Sequence, residues 1–143
     1  MFKVVVVLEG KSRNIEAISW FYKYAERLSY QLSLAEWGSK TEEKAEKFFR
    51  SLKPDCLVVT LDAGGKRMDS IAFAEQLYEI QRRYRKLYIF IGEADGHSET
   101  VVLSAKQSWS LSELTFPYDI ALIALAEQLY RAQAIKNNHP YHK

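Results

Sequence analysis

The sequence predicts an α/β fold, with a mostly parallel sheet covered by helices on both faces. Short apolar runs rich in β-branched residues recur along the chain, the first being Lys3–Leu8, and such runs are typical of strands buried on both faces. Segments with helical spacing of apolar residues lie between them, which indicates parallel strands joined by helices. Because the chain has 143 residues, of which 48% are hydrophobic, we expect one compact domain spanning residues 1–143.

Five strands are predicted. The first is Lys3–Leu8, and the second covers residues 31–37, where Leu32 and Leu34 alternate with Ser33. The other three are expected at residues 56–61, 87–91 and 108–111. Gly64 and Gly65 follow the third strand and are interpreted as a turn.

Helices are expected between these strands. Asn14 is placed to cap the first helix, and Ser39 with Glu42 fits a capping box for the second, which should end before Pro54. A third helix is marked by Ile71 and ends in the basic run at residues 82–86, and further helices are expected over residues 99–106 and 119–135. Helical spacing of apolar residues predicts a buried stripe on each of the longer helices. The stripe is Ile15, Ile18, Tyr22 and Ala25 in the first helix and Ala45, Phe48, Phe49 and Leu52 in the second. It is Ile71, Ala74, Leu77 and Tyr78 in the third helix and Ile120, Ile123, Ala124 and Leu125 in the last.

Charge and cysteine content exclude some classes of protein. The formal net charge is only +2, from 20 basic and 18 acidic residues, which argues against a polybasic nucleic-acid binder but leaves room for a local basic patch. Cys56 is the single cysteine, so it cannot form an internal disulfide, which fits a reducing cytosol. We expect Cys56 to be a small residue of the core. The first apolar run is too short for a signal peptide or a membrane span. We therefore expect a soluble, cytoplasmic protein.

Common cofactor and metal motifs are absent from the sequence. It has no G-x-G-x-x-G, P-loop, C-x-x-C, H-E-x-x-H or G-x-S-x-G pattern. The histidines His97, His139 and His142 do not form a ligand set at helical spacing. We expect no metal, and no dinucleotide site of the Rossmann type.

Two loops rich in small residues follow apolar strands, at residues 61–66 and 91–96. Ligands of open α/β sheets bind at the carboxyl ends of the strands, so both loops lie where a site is expected. The alternative is that their glycines only permit tight turns, and for either loop taken alone the pattern favours that alternative.

The C-terminal third carries the more unusual patterns. Small hydroxyl residues alternate with bulky apolar ones in Ser108-Trp109-Ser110-Leu111-Ser112, and the tail at residues 138–143 concentrates aromatic, imidazole and cationic groups. Such a tail suits an RNA contact, because tyrosine and histidine stack on unpaired bases and lysine reaches phosphate. A frayed, inert terminus is the alternative, which composition alone favours.

Together these stretches resemble the RlmH family, SPOUT-class methyltransferases that modify N3 of a pseudouridine in large-subunit ribosomal RNA. The resemblance is ungapped from about Val58 to Lys143, whereas the first 57 residues agree only in the order of strands and helices. The residues that carry it are Ser108-Trp109-Ser110-Leu111-Ser112, Leu114-Thr115-Phe116-Pro117, Glu127-Gln128-Leu129-Tyr130-Arg131-Ala132 and Tyr141-His142-Lys143.

The resemblance implies a C-terminal trefoil knot, a homodimer, S-adenosylmethionine as cofactor, and ribosomal RNA or the assembled ribosome as partner. Arg131 would orient phosphate or base, and Tyr141 and His142 would approach the partner subunit's cofactor near the N3 proton, where imidazole is a suitable proton carrier. The residues implied to line the cofactor pocket, largely through backbone groups, are Leu61, Gly92, Glu93, Ser112, Glu113, Leu114, Thr115, Phe116 and Pro117.

Three positions depart from the family pattern. Glu93 replaces the second of two adjacent glycines, Tyr118 replaces a histidine after the proline, and Leu122 replaces an arginine early in the last helix. We expect retained activity, since the cofactor run and the C-terminal motif occur together. The alternative is a paralogue on the same fold that binds RNA or the ribosome without catalysis.

Overall fold

A computed structural model describes residues 1–12, 14–92 and 96–143. It has five strands and five helices in alternation. The strands are β1 (Lys3–Leu8), β2 (Gln31–Glu36), β3 (Cys56–Arg67), β4 (Lys86–Ile91) and β5 (Gln107–Ser110), and the helices are α1 (Ile15–Ala25), α2 (Thr41–Arg50), α3 (Ser70–Arg83), α4 (Glu99–Ser104) and α5 (Tyr118–Lys136).

The strands form one parallel sheet in the order β2-β1-β4-β3-β5. Side chains alternate between its faces: Val4 and Val6 of β1 enter the larger core with α1, α3 and α5. Val7 enters a smaller core with α2 and α4 on the other face. The predicted α/β class, with both faces covered, is confirmed.

Helix α1 begins where predicted, because the Asn14 side chain accepts a hydrogen bond of 3.0 Å from the backbone N–H of Ala17. Its predicted apolar stripe is wrong in part. Ala17 and Phe21 are the buried residues, whereas Ile15 is 79% exposed and Tyr22 is partly exposed. Both sides of the helix carry large apolar residues, so spacing alone did not select the buried one.

The predicted capping box of Ser39 and Glu42 is wrong. Helix α2 begins after Lys40, which has a left-handed conformation and makes no side-chain cap. Glu42 instead accepts a hydrogen bond of 3.1 Å from the backbone N–H of Thr100 in α4, and Thr41 donates to the carbonyl of Glu9 at 2.6 Å. Contacts with distant elements therefore replace the local cap.

The predicted turn at Gly64 and Gly65 is also wrong, because β3 continues to Arg67. Its pairing with β5 shifts between Leu61 and Lys66, both of which pair with Trp109. A Cβ on Gly65 would stand 2.8 Å from the backbones of Ser108 and Trp109. Glycine is required there for close approach of two strands.

Cys56 begins β3 and is only partly buried, contrary to the predicted core position. Burial, followed by its hydrogen bond to the Asp55 carboxylate, raises the pKa of the thiol. The thiol is therefore a poor nucleophile at neutral pH.

Helix α5 covers the sheet with a different stripe from the predicted one. Ile120 is 48% exposed, Ile123 and Ala124 are half-buried, and Leu125 alone of the predicted four is buried. The buried side chains are Leu122, Leu125, Ala126, Leu129, Ala132 and Ala134. Within the described part of the chain, no helix combines the length and apolar character needed to cross a membrane.

Candidate active site

A cavity of about 240 Å³ lies at the carboxyl end of β4 and beside Leu61, where the pairing of β3 with β4 ends, next to the segment that joins β5 to α5. This is the position expected for a ligand site in an open α/β sheet. Six of the predicted cofactor residues line it: Leu61, Gly92, Ser112, Leu114, Thr115 and Phe116. We call this space the cofactor cavity.

Two of the other three predicted cofactor residues, Glu113 and Pro117, do not line the cavity. Glu113 is exposed and forms an ion pair of 2.9 Å with Arg67, and Pro117 is the N-cap residue of α5. Glu93 lies outside the described residues.

Close packing of backbone shapes one wall of the cofactor cavity. A Cβ on Gly92 would stand 2.8 Å from the carbonyl carbon of Gly96, and Gly96 has a φ of +89°. Both positions therefore require glycine, for close approach and for backbone conformation respectively. The wall presents backbone groups, which explains why the site has no dinucleotide fingerprint.

Serine hydroxyls hold the segment after β5, which forms another part of the cavity wall. The Ser110 hydroxyl lies 3.1 Å from the carbonyl oxygen of Ala63 and 2.9 Å from that of Ser112. The Ser112 hydroxyl accepts a hydrogen bond of 3.0 Å from the backbone N–H of Leu114. The alternation of serine with bulky residues is thus explained by the structure. Trp109 packs in the core, whereas Ser110 and Ser112 form the hydrogen bonds that hold the segment after β5.

A second cavity of about 470 Å³ shares Leu61, Leu111 and Phe116 with the first. Small-molecule pockets are typically about 300–1,000 Å³, so the second cavity falls within that range and the first slightly below it. Ser70 donates a hydrogen bond of 2.8 Å to the side-chain oxygen of Gln128 on its wall. Sequence reasoning did not identify this cavity, because its walls come from α3, β5 and α5.

A buried pair, Glu9 and His97, lies beneath the cofactor cavity. Glu9 is 2% exposed, and its carboxylate bonds His97 Nδ1 and accepts from the backbone N–H of Ser98 at 2.8 Å. His97 lines the cavity, and its Nε2 lies 2.7 Å from the carbonyl oxygen of Leu61. Sequence reasoning missed this pair; a carboxylate at the end of a buried strand was its only signal.

The predicted catalytic residues come together around Glu127. Its carboxylate accepts hydrogen bonds from Arg131 Nη2 at 2.8 Å and from the Tyr141 hydroxyl at 2.7 Å. Arg131 also lies 4.8 Å from the Tyr141 ring centre and 3.0 Å from His142 Nδ1. We call Glu127, Arg131, Tyr141 and His142 the C-terminal cluster; these contacts argue against an inert, frayed tail.

Electrostatics fix the protonation of the C-terminal cluster. The hydrogen bond to Glu127, with burial, raises the pKa of Tyr141 to about 12, and the same carboxylate raises the pKa of Arg131. Tyr141 is therefore a neutral donor at physiological pH. Because guanidinium only donates, His142 Nδ1 accepts from Arg131, and the imidazole in this arrangement carries its hydrogen on Nε2.

The cofactor cavity and the C-terminal cluster are separate within the chain. The cavity adjoins the first turn of α5, at Tyr118 and Ala121, whereas the cluster extends from Glu127 to the tail. None of Arg131, Tyr141 and His142 lines either cavity. Among residues 1–12, 14–92 and 96–143, no group of three or more potential ligand side chains is arranged to hold a metal ion.

Comparisons with known proteins agree with this architecture. The family described as "Predicted SPOUT methyltransferase" matches residues 2–142. Ribosomal RNA large subunit methyltransferase H of Xanthomonas oryzae is 34% identical over 144 residues, covering 89% of this chain and 92% of the relative. The enzyme of the same name from Bartonella henselae is 34% identical over 137 residues, covering 95% and 85%.

Solved structures show the same fold at low sequence identity. A probable methylase family protein from Haemophilus influenzae superposes with a TM-score of 0.61 at 15% identity, covering 99% of this chain and 70% of that one. The SpoU methyltransferase AviRb from Streptomyces viridochromogenes, solved with AdoMet, gives a TM-score of 0.54 at 15% identity, covering 92% and 58%.

These matches confirm the resemblance predicted from the C-terminal third. They also confirm the expected enzyme class and methyl donor, a methyltransferase that uses S-adenosylmethionine. The chain belongs to the SPOUT methyltransferase family.

Proposed function

We propose that this protein is a homodimeric methyltransferase that acts on N3 of a pseudouridine in large-subunit ribosomal RNA, in the cytoplasm. The observation that carries the proposal is the cofactor cavity, lined by Leu61, Gly92, Ser112, Leu114, Thr115 and Phe116. The relatives are named for ribosomal RNA of the large subunit, which supports the substrate class.

The cofactor cavity fits S-adenosylmethionine, which supplies an activated methyl group when bound. Backbone groups near Gly92 and Ser112 suit the polar edge of the adenine base. Main-chain donors and acceptors can form hydrogen bonds with that edge without charged side chains. Leu61 and Phe116 offer apolar surface, and Asp62 adds a carboxylate that suits a cationic sulfonium. We assign the cofactor to this cavity.

The C-terminal cluster suits the base to be methylated. The N3 of a uracil-type ring carries a proton and lies between two carbonyl groups. Methylation requires release of that proton to solvent water, and its loss places negative charge on both oxygens. Arg131 and the Nε2–H of His142 are donors that stabilise such charge. Tyr141 holds Arg131 through Glu127 and the ring contact and keeps its own proton. We therefore assign His142 as a donor to the base.

A dimer joins the two parts of the site. The cluster lies away from its own subunit's cavity, and two residues that line that cavity are exposed and apolar: Leu114 is 70% exposed, and Phe116 is also exposed. Ile15 and Ile120, in the first turns of α1 and α5, are further exposed apolar residues. Asn14 donates a hydrogen bond of 2.9 Å to Asp119, which brings the start of α1 close to the start of α5. A partner that covers this patch would bring its own cluster to the cavity. The trefoil knot implied by the family remains a proposal.

The proposal is tested by transfer of a labelled methyl group from S-adenosylmethionine to ribosomes that lack the modification. We expect Arg131→Ala to lower kcat about 100-fold, since it removes a charged donor near the developing charge. Arg83→Ala, which alters an exposed arginine at the end of α3, should retain the wild-type rate. Cofactor binding without any transfer would instead favour a paralogue that only binds RNA or the ribosome.

A further inference from the structure

We infer that His97, held by Glu9, is a positioning residue that fixes the backbone carbonyl of Leu61 in the wall of the cofactor cavity. The inference rests on the proposed function and extends it to residues outside the family motif. His97 Nε2 lies 2.7 Å from the Leu61 oxygen, Nδ1 bonds the Glu9 carboxylate, and the imidazole itself lines the cavity.

The hydrogen-bond partners of His97 define its protonation state. A backbone carbonyl only accepts, and an ionised carboxylate only accepts. Each ring nitrogen of His97 faces one of these groups, so both nitrogens must carry a hydrogen. His97 is therefore an imidazolium, and Glu9 balances its charge within the buried site.

The pair also connects three strands through hydrogen bonds. Glu9 follows β1, and its backbone N–H donates to the carbonyl of Ile91 at the end of β4 at 3.0 Å. Leu61 belongs to β3, and His97 follows the loop after β4. Ser98 adds a backbone hydrogen bond of 2.8 Å to Glu9. Two buried side chains thus fix the relative positions of the backbone segments that form the cavity wall.

Loss of the proton removes this support. A neutral His97 that still donates to Glu9 would turn an Nε2 lone pair toward the Leu61 oxygen, and the two acceptors would repel each other. The Leu61 carbonyl would then lose its partner and shift, which would alter the wall that receives the cofactor.

Charges around His97 favour its protonated form. Burial lowers the pKa, but the hydrogen bonds to Glu9 and the Leu61 carbonyl, with the negative charges of Glu9 and Asp62, outweigh burial, so the pKa is raised. Because the pKa of His97 is raised in the folded protein, the stabilisation provided by its proton is fully present below the ordinary histidine pKa near 6.5. This stabilisation is lost as pH rises through the raised pKa of His97. Affinity for the cofactor should therefore fall on the alkaline side.

Calorimetry with S-adenosylmethionine tests the inference. For the wild type we expect Kd to rise with pH between roughly pH 6 and 9. His97→Gln and Glu9→Gln should each weaken binding about 10- to 100-fold and abolish this pH dependence. The double variant should bind no more weakly than the weaker single variant, because the two residues act as one unit. Glu79→Gln, which breaks the exposed pair with Arg82, is the matched control.

The outcomes separate the inference from the proposed function. A wild type that does not bind the cofactor overturns both. A wild type that binds with a flat pH profile, or a His97→Gln variant with unchanged affinity, overturns the inference alone. If the variants do not fold, ¹⁵N NMR of the wild-type histidine rings decides: we expect both His97 nitrogens to be protonated at neutral pH, and a neutral tautomer contradicts the account.

Discussion

Single residues at the end of α5 are organised by one carboxylate. Glu127 accepts hydrogen bonds from Arg131, Tyr141 and Gln128, and Gln128 accepts in turn from Ser70 on the wall of the second cavity. A continuous chain of polar contacts therefore links that cavity to the C-terminal cluster. The orientation of Arg131 depends on this carboxylate and on the groups that hold it.

Removal of the Tyr141 hydroxyl tests this dependence. Tyr141→Phe keeps the ring beneath Arg131 but deletes a hydrogen bond to a charged group, which is worth about 1.5–3 kcal/mol. We expect kcat to fall about tenfold or more, with unchanged KM for the cofactor, since the cofactor cavity is not altered. Tyr78→Phe, at a partly exposed tyrosine in α3, should have no effect. Equal rates for Tyr141→Phe and the wild type would show that this hydrogen bond does not position Arg131.

At the level of elements, α5 serves the core and both parts of the site. Its first turn adjoins the cofactor cavity at Tyr118 and Ala121, and its last turns carry Arg131. Leu122 is 1% exposed within the main core. The leucine that replaces the family's arginine is thus a packing residue here. An arginine without a partner at this buried position would be costly, because its charge would lose contact with water.

The role of Leu122 is tested by its truncation. Leu122→Ala should lower the free energy of unfolding by about 2–5 kcal/mol, from lost burial and the cavity that remains. Leu103→Ala makes the same chemical change at a side chain that is 76% exposed in α4, and should cost about 0.5 kcal/mol or less. Denaturant unfolding of both variants gives the comparison. Similar losses for the two would contradict the assignment of Leu122 to the core.

Element boundaries were more predictable from the sequence than element contacts. All five strands and five helices lie near their predicted positions, because apolar runs and helical spacing are local signals. The predicted buried sides of α1, α3 and α5 were wrong in part, since these helices carry apolar residues on more than one side. In α3, Ile71 is 52% exposed and Tyr78 is partly exposed. The Ser39 cap failed because Thr41 and Glu42 bind residues that are distant in sequence. Local patterns cannot reveal such competition.

For the whole molecule, the order of strands determines the site. The predicted alternation of elements gave the α/β class, but not the order β2-β1-β4-β3-β5. That order brings Glu9 and His97 together although 88 positions separate them, so no local pattern could predict their pairing. The loops at residues 61–66 and 91–96 could be located near a site from the sequence pattern. The cavity residues between Ser112 and Phe116 were predictable only through the family resemblance, because backbone sites leave little mark on side-chain patterns.

The complete site, in our account, combines the cofactor cavity of one subunit with the C-terminal cluster of the other. Ala63→Trp should block the cavity, because Ala63 lines it from an exposed position. Arg131→Ala should disable the cluster. Each variant alone is expected to form an inactive homodimer. A heterodimer that contains one subunit of each keeps one intact site, formed by the Arg131→Ala subunit's cavity and the other subunit's cluster.

Methyl transfer to ribosomes by this purified heterodimer is the most direct test of the central claim. We predict about half of the wild-type rate, since one of two symmetric sites is intact, and the background rate for either homodimer. A heterodimer as inactive as its parents, while still dimeric and folded, would contradict a site shared between subunits.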